Sequence, residues 1–356
     1  APGVYPYTPL SLPLPAAAHL LASALQWPFS FTMKLPTIVA ELCIVALLYR
    51  VGIAGRGGSP RRGMAFALAY AVNPVAILIS GFHGNVMPIA SLLCLAAYHA
   101  IERSGAAVPP ARDRYLGALL LGLGVAFRGF PVLLAPVFAL RLRRTNWPAF
   151  LAVAALPSAL LLAPFLVASP ADVVREILTY SGRLDFGVGA MLKLVGVAPM
   201  RPLETNVATE TTVQMSKLAL LASYGLLLLL LWRRPDPAPL AFAVAATWLL
   251  FYSVYAGVAA HYFVWILPFA IAANDRRVWG FSLAATAALI GFYLVYHPVM
   301  LLGPYAPTQW RTPLASVPLY LLGAVALWLI GVEWTLWLIG RVARSHGAEH
   351  CPSPRS

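Results

Sequence analysis

The chain has 356 residues, of which 60% are hydrophobic and only 10% charged. A soluble domain carries about 25% charged residues, so these side chains cannot cover a water-facing surface, and a soluble enzyme or binding module is excluded. The formal net charge of +13 comes as arginines in twos and threes between apolar runs. It does not form a stripe on one soluble face, which excludes a nucleic-acid-binding surface.

The chain opens on Ala1-Pro2-Gly3-Val4-Tyr5-Pro6-Tyr7-Thr8-Pro9, without methionine and without a signal-peptide pattern. This stretch reads as extended loop, and a further N-terminal piece is expected upstream. Residues 10–26 are apolar, but Pro13 and Pro15 break the stretch early and His19 interrupts it. They are expected to form a helix lying in the outer membrane interface, with Trp27, Phe29 and Phe31 as anchors.

Eleven apolar segments follow, at about 36–52, 64–80, 87–102, 115–127, 129–140, 147–168, 213–232, 238–254, 259–273, 278–297 and 314–340. A full crossing needs roughly 20 residues, so 115–127 and 129–140 are short. They can instead form one broken hairpin about Arg128-Gly129-Phe130-Pro131. The expected fold is all-α: one polytopic transmembrane bundle over 1–345, of about eleven membrane segments plus outer juxtamembrane helices, with a cytoplasmic tail at 346–356.

When the crossings alternate, seventeen of the 25 basic residues fall in six short loops on one side, and every one of those loops is basic. That side is cytoplasmic by the positive-inside rule, which puts the start of the chain outside and its C-terminus inside. The outer face then collects residues 1–35, the turn 81–86, the long segment 169–212, the turn 255–260 and residues 298–313. Within the long segment, Ala171 to Tyr180 has the spacing of a surface helix. Its charged residues, Asp172, Arg175, Glu176, Arg183, Asp185, Lys193, Arg201, Glu204 and Glu210, are read as solvated or paired at the surface. Cys43 and Cys94 read as small buried hydrophobes, Cys351 lies in the tail, and no Cys/His spacing suggests a metal site.

Few residues carry surplus chemistry. The turn Ser80-Gly81-Phe82-His83-Gly84-Asn85 places an imidazole and an amide near the membrane surface, and can equally be a plain polar turn. Arg128 stands in a strongly apolar region, where a cation needs a cavity or an anion unless it snorkels to the interface. Its guanidinium fork suits phosphate oxygens. Glu41, among aliphatics, reads more readily as a helix-packing hydrogen bond than as a site residue. Glu333 is expected to pair with Arg341 or a headgroup. The run His261-Tyr262-Phe263-Val264-Trp265 fits an aromatic belt, with His261 able to donate to a phosphate or a sugar hydroxyl.

The order of these motifs resembles that of GT-C superfamily membrane glycosyltransferases. Tyr5-Pro6-Tyr7-Thr8-Pro9-Leu10-Ser11-Leu12 is similar to their Tyr-Pro-Pro-Leu-type segment, and Lys34-Leu35-Pro36-Thr37-Ile38-Val39-Ala40-Glu41 to the helix after it. Asn73-Pro74 with Ser80–Asn85 resembles their Asn-Pro…Phe-His-Gly-Asn/Gln run. Phe127-Arg128-Gly129-Phe130-Pro131 resembles a Lys/Arg-x-x-Pro element, and His261 to Pro268 a late His/Gln-Tyr-x-x-Trp-x-x-Pro element. The resemblance implies transfer of a sugar, often mannose, from a polyprenyl-phosphate donor to a lipid or other cell-envelope acceptor, with no cofactor. It implies donor-phosphate or substrate contacts from His83, Asn85, Arg128, His261 and Tyr262, and adds Tyr5, Tyr7, Lys34, Glu41 and Arg183 as further candidates. The family's catalytic aspartate precedes the Tyr-Pro segment and so falls upstream of Ala1. Met87 stands where relatives commonly carry an acid. A non-catalytic protein of the same fold and a transporter or lipid flippase are the alternatives, the latter disfavoured because no internal repeat is visible. High Ala, Leu and Arg point to a GC-rich bacterial genome and an inner-membrane location.

Overall fold

A computed structural model of the chain describes residues 9–54, 57–105, 109–179, 182–200, 207–234, 239–303 and 315–344. Among these residues the architecture is all-helical. In chain order the α-helices are α1 Pro13–Leu25, α2 Phe29–Ala54, α3 Pro60–Ala71, α4 Pro74–Ala76, α5 Met87–Glu102, α6 Ala111–Phe127, α7 Leu134–Leu140 and α8 Trp147–Ala168. They continue with α9 Pro170–Thr179, α10 Val188–Leu194, α11 Val207–Trp232, α12 Leu240–Val254, α13 Leu267–Ala272, α14 Arg277–Tyr296, α15 Pro298–Leu302 and α16 Ser316–Arg344. Five helical stretches, Phe29–Ala54, Arg144–Ala168, Val207–Trp232, Arg277–Tyr296 and Ser316–Arg341, are long and apolar enough to cross a membrane. The pair Pro60–Ala71 and Pro74–Phe82, bent by 41°, makes a sixth.

The sequence dictates where the helices start, break and bury. Pro13 opens α1 rather than breaking it, because a proline at the first helical position loses no hydrogen bond. Ser59 caps α3, accepting from the Arg62 amide at 3.2 Å. At Asn73-Pro74 the chain bends and restarts: the Asn73 side chain accepts from the Val75 amide at 3.0 Å and donates to Ser282 at 2.9 Å. The run beyond α4 winds as a π-helix over Ile77–Phe82, a form frequent at functional sites. The segments 115–127 and 129–140 are broken at Arg128-Gly129, with a short 3₁₀ turn over Phe130–Leu133 leading into α7.

α12 is apolar all round and almost wholly buried, so it forms the centre of the bundle. Around it pack Trp265, Phe263, Phe281 and Trp334. α8 and α11 sit at the periphery and expose Leu160, Leu218, Leu221 and Leu226. On α2 the buried stripe is Thr37, Ala40, Ile44, Leu48 and Val51; Cys43 lies off this stripe and is exposed, contrary to the expectation of a buried thiol. Cys94 is buried.

The two ends of the bundle differ in charge. At one end Arg103 pairs with Asp113, Arg141 with Glu102 at 2.7 Å, and Arg277 with Glu333 at 3.3 Å. Glu333 therefore takes Arg277, not Arg341, which lies over the rings of Phe242 and Trp337. The opposite ends of α5, α6 and α14 carry His83–Asn85, Arg128 and Tyr293–His297.

Candidate functional site

The second end gathers residues from six distant parts of the chain. The turn after the π-helix is tied down by its own backbone, with the His83 amide donating to Leu78 at 3.0 Å and the Asn85 amide to Ile79 at 3.1 Å. Lys34, one turn into α2, reaches over it: Nζ donates to the carbonyls of Gly81 at 2.8 Å and Phe82 at 3.4 Å. Its methylenes lie 2.8 Å from where a Cβ on Gly84 would stand, and Gly84 has φ +68. Only glycine meets both demands. Lys34 is thus the clamp of the turn. Asn85 serves the backbone as well; its side-chain oxygen accepts from the Met87 amide at 3.0 Å, opening α5, and its carbonyl accepts from Thr37 at 3.3 Å.

His83 is half-buried. Its Nδ1 lies 3.0 Å from the Tyr293 hydroxyl, and its ring stands edge to face with Tyr293 at 5.7 Å and with His261 at 5.9 Å. Burial, followed by the positive charges of His297, Arg183 and Lys34, pushes the imidazole from its usual 6.5 down to about 4. The charges acting on His261 are His83, Arg128 and Arg183. Arg128 ends α6 in extended conformation and is buried, with its guanidinium 5.9 Å from the Phe127 ring centroid.

The two late motifs are joined by stacking. Phe130 contacts Phe251, Tyr262 and Trp265 at 5.1–5.6 Å, and Tyr262 stacks on Trp265 at 4.5 Å. Tyr262 is fully buried in this aromatic layer. Its ring stands edge to face with His261 at 4.7 Å.

Segment 182–194 folds back onto the turn before His261. Phe186 makes an isolated antiparallel bridge with Val258, its amide donating to the Val258 carbonyl at 3.0 Å. Asp185 and Lys193 are buried as an ion pair at 3.7 Å, which corrects the expectation of solvated surface charges. Lys193 faces the rings of Tyr296 and Tyr320, and the Tyr320 hydroxyl donates to the Asp185 carbonyl. Burial pushes the Asp185 carboxyl up against the pull of Lys193 and Arg183, and pushes the Lys193 ammonium down. Between Gly182 and Asp185 the exposed Arg183 acts on His83, His261 and His297.

Of the residues singled out in the sequence, His83, Arg128, His261, Arg183 and Lys34 meet here. Glu41 binds Ser80 through a short hydrogen bond and interacts with the buried Tyr70 phenol, so it supports the π-helix from below. Tyr5 and Tyr7 lie outside the described residues. Tyr293 and His297 were missed. His297-Pro298 at the end of a crossing is the same signal that singled out His261, whereas Tyr293 has none, being one aromatic among many in an apolar helix. Among the described residues, the charges that act on the three histidines are all basic. Such a cluster can hold an anion and orient it by hydrogen bonds from imidazole and guanidinium.

No known protein-family model matches this chain, and no curated protein is significantly similar to it.

Proposed function

We propose that this protein is an integral-membrane glycosyltransferase that moves a sugar, mannose first, from a polyprenyl-phosphate donor to a lipid or cell-envelope acceptor. In this reading the chain has about eleven membrane segments in a bacterial inner membrane, with its first residues outside and its C-terminus in the cytoplasm. The observation that carries the reading is the convergence of Arg128, His261 and His83, joined by Arg183, at the bundle end opposite the arginine–carboxylate pairs. The break at Arg128-Gly129 serves it, because it ends α6 where Arg128 acts on His261. When the sugar passes to the acceptor hydroxyl the polyprenyl phosphate leaves as an anion, so cations already in place lower the barrier without protonating the leaving group. No residue of the cluster is assigned as the base that activates the acceptor hydroxyl.

The test is transfer from a radiolabelled polyprenyl-phosphate mannose by the protein reconstituted in vesicles, alongside equilibrium binding of the same lipid. Wild type is expected to bind and transfer, and Arg128→Ala to lose binding. A wild type that does not bind the lipid, or an Arg128→Ala variant that binds it unchanged, overturns the reading.

A further inference from the structure

The His83 ring has two nitrogens and one described protein partner. Nδ1 is engaged at 3.0 Å by the hydroxyl of Tyr293, a fully buried side chain on α14. Nε2 is therefore the nitrogen left for a ligand. A neutral imidazole carries one proton, and which nitrogen holds it is set by the hydrogen bond at the other. The charges that reach His83 are Lys34, Arg183 and His297, with His261 against its ring. All are basic, and burial adds to their effect in keeping the ring neutral.

An anion at Nε2 accepts hydrogen bonds and gives none, so it requires Nε2–H. Nδ1 is then a bare lone pair and needs a donor. The Tyr293 phenol can be that donor. In the other tautomer, Nδ1–H would donate to the phenol oxygen and Nε2 would turn its lone pair on the anion, which is repulsive. We propose that Tyr293 is a positioning residue of the phosphate site: its hydroxyl donates to Nδ1 of His83 and holds the ring in the tautomer whose Nε2–H donates to the anion. This rests on the donor-phosphate reading above and goes beyond it, because it gives a role to a residue with no motif around it.

The experiment uses full-length protein in detergent with ¹⁵N-labelled histidine, a short-chain polyprenyl phosphate as probe, and the variants Tyr293→Phe, His83→Gln and His83→Asn. Nitrogen shifts distinguish a protonated from a bare ring nitrogen, and His83→Gln identifies the His83 signals by their loss. With probe bound at about pH 8, above the range in which an anion lifts the ring into its doubly protonated form, wild type is expected to show protonated Nε2 and bare Nδ1. Tyr293→Phe is expected to mix the tautomers and weaken binding about 3- to 10-fold, the worth of one neutral hydrogen bond. His83→Gln, whose amide nitrogen falls near the Nε2 position, should bind better than His83→Asn, whose amide falls near Nδ1. A wild type that binds the probe with Nδ1 protonated overturns the proposal alone, as does a Tyr293→Phe variant with tautomer and affinity unchanged. The reverse order of the two His83 variants does the same. A wild type that does not bind the probe overturns both this proposal and the phosphate reading.

Discussion

His83 and His261 come from opposite halves of the chain and stand edge to face, with ring centroids 5.9 Å apart and an interplanar angle of 90°. Two imidazoles this close under the influence of Arg128 and Arg183 can donate to one and the same anion. Each of His83→Ala and His261→Ala is then expected to weaken binding of a polyprenyl phosphate at least roughly tenfold, the lower worth of a hydrogen bond to a charged group. The double variant should lose clearly less than the product of the two, because neighbours sharing a partner are not additive. Full additivity in equilibrium titration would show that the two rings do not share a ligand.

The pH dependence follows from the His83 ring, which in the free protein titrates at about 4. A bound anion favours the protonated ring, so the complex holds more protons than the free protein, and affinity must rise as pH falls from neutral toward 4. With a lift of about 2 units, within the range for a close opposite charge, binding is about tenfold tighter at pH 5 than at pH 7. A lipid phosphodiester is the right probe, since its own charge is constant over that range. His297, Arg183, Lys34 and His261 face the same ring, and His297 contributes proton uptake of its own, so the discriminating result is a flatter profile in His83→Gln. An identical profile would assign the effect to His297.

Lys34 is expected to act through the turn it clamps. Lys34→Met keeps the stem that lies over Gly84 and removes the ammonium that binds the Gly81 and Phe82 carbonyls. A hydrogen bond to a charged group contributes about 1.5–3 kcal/mol, so amide exchange at His83 and Asn85 should quicken by at least about tenfold. Exchange in α14 should not change. If the turn amides are as protected as before, Lys34 is not the clamp.

The fold and the site were legible to different degrees, for physical reasons. Apolar runs depend on local composition, so the long helices could be read directly. The break at Arg128-Gly129 was visible too, since glycine and proline flank a cation in an apolar stretch. What could not be read is the second layer of contacts. Asp185 and Lys193 look solvated because charges in a long segment between crossings ordinarily face water, and only the fold-back of 182–194 onto Val258 buries them. Tyr293 is hidden for the opposite reason: its neighbours are all apolar, and its hydroxyl gains meaning only when α14 meets the 81–86 turn. Tyr262 entered as a ligand contact through the family resemblance alone, and it lies buried in a stack on Trp265.

The arm that brings Arg183 to the histidines hinges on Gly182, which has φ +69 and would place a Cβ 2.2 Å from the Gly257 carbonyl oxygen. Gly182→Ala faces both the left-handed backbone penalty, about 1–2 kcal/mol, and a clash with main-chain atoms that cannot yield. The backbone term alone raises the population of the undocked arm about 5- to 30-fold. The measurable sign is faster exchange of the Phe186 amide, which is bonded to Val258 when the arm is docked. Thermal unfolding should also move down, because Phe186 packs against Phe263, Phe292 and Tyr320 and uncovers them when the arm undocks. Affinity for a polyprenyl phosphate should fall about as far as in Arg183→Ala, and adding Gly182→Ala to Arg183→Ala should cost nothing more. A double variant clearly weaker than Arg183→Ala would mean that the arm serves the site through something other than Arg183.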